Sequence, residues 1–75
     1  MKRTKIRLTD IAPDNVRIVI DWDKFVTGAS VFIPCINTVK AVREVKEVTG
    51  LSNEEITHRV RIEDSKYGVR IWRLV

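Results

Sequence analysis

Four side chains near the C-terminal end, Arg59, Arg61, Arg70 and Trp72, have the types and the spacing to bind a polyanion. Residues 56–63 alternate, with Ile56, His58, Val60 and Ile62 on one face and Thr57, Arg59, Arg61 and Glu63 on the other, as in a half-buried strand. Residues 69–75 alternate likewise, with Val69, Ile71, Arg73 and Val75 sharing a face. Between them Asp64-Ser65-Lys66-Tyr67-Gly68 has the chemistry of a hairpin loop. An even loop that keeps the apolar faces together pairs Ile62 with Val69 and Val60 with Ile71, which sets Arg61 opposite Arg70 and Arg59 opposite Trp72. Like charges directly across two strands repel until something anionic neutralises them. Phosphate does so through bidentate guanidinium contacts, and an indole stacks on a base or sugar. Two plainer readings compete: Glu63 and Asp64 neutralise the arginines internally, or Trp72 packs on a partner subunit.

Other chemistries find little support. Ser30, His58 and Asp21 can be drawn as a triad, but no nucleophile-elbow motif surrounds the serine. His58 falls on the apolar face of its strand and reads as a core or rim histidine. Asp21 and Asp23 flank Trp22 without the further oxygen ligands a hard cation needs. One cysteine and one histidine cannot supply a structural zinc site. Cys35, beside Pro34 and without a flanking base, reads as a buried small hydrophobe. Gly28, Gly50 and Gly68 are isolated and form no phosphate loop. The expectation is therefore no enzyme, no metal and no cofactor.

The elements that must position the four side chains follow from periodicity. Residues 16–22 place Val16, Ile18, Ile20 and Trp22 on one side of an expected strand, with Asp14-Asn15 as a turn before it. Residues 30–35 form a second short strand closed by Pro34, which cannot donate to a ladder. Residues 38–49 carry valine at 39, 42, 45 and 48, a spacing that strand alternation cannot satisfy. Wound as a helix, these valines with Ala41, Thr38 and Thr49 form an apolar face opposite Lys40, Arg43, Glu44 and Glu47. Asn37 is its N-cap and Gly50 its C-terminal stop. β-Branched residues are weak helix formers, so this helix must dock on a sheet. Residues 1–13, where Ile6 and Leu8 alternate with Lys5 and Arg7, fit an edge strand or a basic arm. The expected architecture is a single α+β domain over 1–75: a two-layer fold with an antiparallel sheet of four strands, or five, order β-β-α-β-β, and one helix on its apolar face.

Composition sets outer limits. A chain of 75 residues holds one core, and its 44% hydrophobic and 32% charged residues suit a globular domain. A core this small makes a homodimer a reasonable expectation. The single cysteine excludes an intramolecular disulfide. No run of apolar residues reaches the length of a secretory h-region or a membrane span, so a cytoplasmic location and no membrane partner are expected. The leading Met is read as the start of a complete gene product. The net charge of +4 favours polyanions modestly.

Gly28-Ala29-Ser30-Val31-Phe32-Ile33-Pro34, the helix after it, and the closing Gly68-Val69-Arg70-Ile71-Trp72-Arg73 together resemble a pattern in small phage- and prophage-encoded proteins. That pattern is a Gly-x-Ser-Phe-Phe-Val-Pro-like segment, a helix and a terminal Gly-Val-Arg-Val-Trp-Arg-like strand, and Val31 departs from its aromatic residue. The resemblance implies a phage-like origin, hence a host-cell cytoplasm, and supplies no activity or site. Two functions remain as expectations. The first is a nucleic-acid-binding protein that contacts DNA or RNA backbone phosphates through Arg59, Arg61, Arg70 and Trp72. The second is a protein-interaction module, such as a phage factor that binds and inhibits a host protein, with Trp72 and arginines as hot spots.

Overall fold

A computed structural model describes residues 11–75; the expected N-terminal edge strand or arm lies almost wholly outside them. The helix α1 runs Thr38–Thr49 and carries its own end signals. Asn37 Oδ1 accepts the Lys40 N–H at 3.0 Å, and Gly50, at φ 75°, donates its N–H to Lys46 O at 2.8 Å. Each bond satisfies a backbone group that the helix end would otherwise orphan. The valine stripe is split by docking: Ala41, Val42 and Val45 are buried, Val48 is half-buried, and Val39 is 75% exposed.

Three strands form one antiparallel sheet: β1 (Ser30–Pro34), β2 (Ile56–Glu63) and β3 (Lys66–Arg73), in spatial order β1-β3-β2. The chain order is therefore β-α-β-β. Val69 and Ile71 of the central strand and Ile33 of β1 sit under the helix against Val45, all four with no exposed surface. Burying each such side chain stabilises the fold by about 1.5–3 kcal/mol. Phe25, Ile11, Cys35 and Ile56 complete the core, so the segment before β1 and α1 together cover the helix side of the sheet.

The expectation of four or five strands is wrong, because residues 16–22 do not join the sheet. Their alternation is real as packing: Ile18, Ile20 and Trp22 lie against the core, while Val19 is exposed. Yet among the described residues their ladder contact is a single bridge, Ile18 N–H to Ile11 O at 3.0 Å. Val16 falls outside the packed row and is 63% exposed. Two local anchors bend the segment away from an extended course. Asp14 accepts the Ile36 and Asn37 N–H groups at 2.6 and 3.0 Å, tying the turn at Asn15 to the approach to α1. Asp21 caps a 3₁₀ turn at Trp22–Lys24 by accepting the Asp23 N–H at 3.2 Å.

The hairpin register also differs from the expected one. Glu63 pairs with Lys66, Ile62 with Tyr67, Val60 with Val69, Arg61 with Gly68 and Arg59 with Arg70. The connection is a two-residue turn, Asp64-Ser65, with φ of 52° and 65°, the left-handed pair that matches strand twist. Gly68 belongs to β3 rather than to the loop, and it is required there. A Cβ at position 68 would lie 2.2 Å from Ile33 O and 2.8 Å from Pro34 Cα, so β1 can approach β3 this closely only across a glycine. Among the described residues no helix is long and apolar enough to cross a membrane.

Candidate nucleic-acid interface

The register moved by two residues, and two is the side-chain period, so every side chain kept its expected face. Arg59, Arg61, Arg70 and Trp72 all stand on the far side of the sheet, away from α1. Thr57, Glu63 and Lys66 share that face, and β1 contributes Ser30 and Phe32. Arg59, Arg61 and Lys66 are exposed, whereas Arg70, Trp72 and Phe32 are half-buried by their neighbours. The face thus carries four cations and one carboxylate beside two aromatic rings.

Cross-strand neighbours differ from expectation. Arg59, not Arg61, lies directly opposite Arg70, and Trp72 lies between Thr57 and Ser30. Arg70 is the best-held side chain of the group. Its Nε and Nη2 donate to Glu63 Oε2 and Oε1 at 2.7 and 2.6 Å, a two-pronged ionic contact. Its Nη1 donates to Ser30 Oγ at 2.6 Å, and its guanidinium carbon stands 5.8 Å from the centre of the Phe32 ring. The hydrogen-bonded Arg70, with further help from its charge and that of Arg61, holds the Glu63 carboxyl below the usual carboxylate range against a smaller opposing push from desolvation. Arg61 Nε approaches Glu63 Oε2 at 3.4 Å, its side chain remaining 47% exposed. Arg59 has no ionic partner among the described residues.

Internal neutralisation by Glu63 therefore satisfies Arg70 in full and Arg61 in part. Arg70 is a framework residue that joins all three strands. Arg59 and Lys66, with the partly engaged Arg61, are the exposed cations that can reach a ligand. Phe32, Lys66 and the Arg70–Ser30 contact were missed by sequence reasoning. The alternation Ser30, Phe32 in β1 was a usable signal for the first, since the two must share a face.

The remaining candidates are dispersed. Ser30 lies on the far face and His58 on the helix side, so the drawn triad does not assemble. His58 is an exposed rim residue rather than a core one. Cys35 is buried, and desolvation, with the nearby charge of Asp14, pushes its thiol pKa up. Among the described residues no three of His, Cys, Asp and Glu come together to hold a metal ion. The fold and face define a three-stranded antiparallel sheet backed by one helix, with a basic, aromatic outer surface. No family model matches the chain, and no curated protein or solved structure does so either.

Proposed function

We propose that the far face of the sheet binds single-stranded nucleic acid, its exposed cations contacting phosphates and its rings stacking on bases. The observation that carries this reading is that Arg59, Arg61 and Lys66 stand exposed on the same face of the sheet as Trp72 and Phe32, a face that no described element covers. Phe32 and Trp72 sit on neighbouring strands, one pair apart in register, a spacing across which adjacent bases can be received. A duplex hides its base faces, so the rings favour an unpaired strand over a double helix. The reading does not use Arg70 as a contact, since Glu63 already occupies it.

Fluorescence anisotropy with single- and double-stranded oligonucleotides across salt tests the proposal. The wild type is expected to bind single strands more tightly, with affinity falling as salt rises. Replacing Arg59 and Arg61 together by Gln should lower the slope of log affinity against log salt by roughly one to two, for two lost phosphate contacts. The absence of salt-dependent binding to any oligonucleotide overturns the reading. A second reading, protein interaction, is supported by a separate observation: Val60 and Ile62, on the helix side of β2, are 45% and 71% exposed.

A further inference from the structure

We infer that the outer edge of β2 is a docking site for an extended acidic peptide segment, which adds to the sheet as a further strand with carboxylates alternating with apolar side chains. The inference does not require nucleic-acid binding by the far face, although both readings draw on Arg59 and Arg61.

The backbone is the starting point. Arg73 exchanges hydrogen bonds with Ala29 and Gly28, and Tyr67 O accepts from Cys35 N, so the odd-numbered residues of β3 bond toward β1. Its even-numbered residues bond toward β2, where their partners are Thr57, Arg59, Arg61 and Glu63. His58, Val60 and Ile62 consequently direct their N–H and C=O groups outward, and no described strand takes them. Such an edge is a template for one more strand.

Side chains define what that strand must carry. On the far face Arg59 and Arg61 stand beside the edge, exposed. On the helix side Val60 and Ile62 are exposed where α1 does not reach, next to a groove of about 390 Å³ between α1 and β2. Val39 and Val42 form the apolar part of this groove, with Arg43, Lys46 and His58 around it. An added strand presents one set of alternate side chains to Arg59 and Arg61 and the other to Val60, Ile62 and the groove. Carboxylates suit the first set, and apolar residues with an occasional carboxylate suit the second.

Charge decides among occupants. A second copy pairing β2 with β2 about a two-fold axis places Arg59 and Arg61 of one chain against those of the other, like charge on like. The chain's own stretch Lys2, Arg3, Lys5, Arg7 has the same sign. A nucleic acid satisfies the arginines but leaves Val60 and Ile62 in water and supplies no peptide groups for the edge.

The test uses the full-length, isotopically labelled protein and a synthetic peptide as long as β2 in which glutamate and valine alternate. Binding should slow hydrogen exchange at the His58, Val60 and Ile62 amides while those of Arg59 and Arg61, already bonded to β3, change little. Val60→Pro deletes one outward N–H without touching the β2–β3 ladder and should weaken peptide binding by roughly tenfold or more, with oligothymidylate binding unchanged. A thermal melt of that variant checks its fold, and the exchange pattern of the wild type stands independently of it. The inference is overturned by absence of peptide binding, by binding without protection of the three edge amides, by equal binding of a lysine-valine peptide, or by protection of those amides with oligothymidylate alone.

Discussion

Glu63 grips Arg70 across a gap that Gly68 leaves open. On the far face the Arg61–Gly68 pair separates Glu63–Lys66 from Arg59–Arg70, and position 68 presents no side chain between the carboxylate and the guanidinium. The two meet at 2.7 and 2.6 Å through parallel bonds, and Ser30 of β1 fills the remaining Arg70 donor. One arginine thereby links three strands, and its charge is largely internal.

Glu63→Gln should release it. Because the folded protein lowers the Glu63 pKa, the carboxylate contributes stability that is fully present above the ordinary carboxylate range and is lost as pH falls through the lowered folded value. Melting temperatures of the wild type should therefore drop more between neutral and acid pH than those of Glu63→Gln. The same variant frees a cation on the far face, so oligonucleotide affinity should rise and the salt slope steepen by roughly one. Unchanged binding would show that position 70 lies outside the contact surface.

Gly68→Ala should be severe although the change is one methyl group. The new Cβ meets Ile33 O at 2.2 Å and Pro34 Cα at 2.8 Å, both backbone atoms, so β1 must shift away from β3. A loss of at least about 2 kcal/mol is expected by chemical denaturation.

Ser65→Gly should do the reverse. Ser65 sits at φ 65° in the Asp64-Ser65 turn, a conformation glycine adopts freely and serine does not. A gain of about 0.5–1 kcal/mol in unfolding free energy is expected.

Cys35 should resist thiol reagents in the native state and react rapidly once unfolded. It is 5% exposed, and burial raises its pKa, leaving little thiolate at neutral pH. Labelling followed by mass spectrometry across a denaturant series checks this, with the reaction rate expected to track the unfolding curve.

Some elements were legible residue by residue because their signals are local. The helix at 38–49 and its caps Asn37 and Gly50 are satisfied within a few residues, and the strand at 56–63 follows from alternation in its own side chains. The common face of Arg59, Arg61, Arg70 and Trp72 was also determined by sequence, since any register that sets Val60 on the same face as Val69 and Ile71 preserves it. What tertiary structure decided was each choice that alternation leaves degenerate. A shift of two residues is invisible to a period of two, so the left-handed Asp64-Ser65 turn and the close approach of β1 at Gly68, not the pattern, selected Arg59 as the neighbour of Arg70. Residues 16–22 alternate as a strand but lie outside the sheet, because side-chain packing needs only an apolar surface whereas a ladder needs a free, aligned edge, and Asp14 and Asp21 bend the segment away from one.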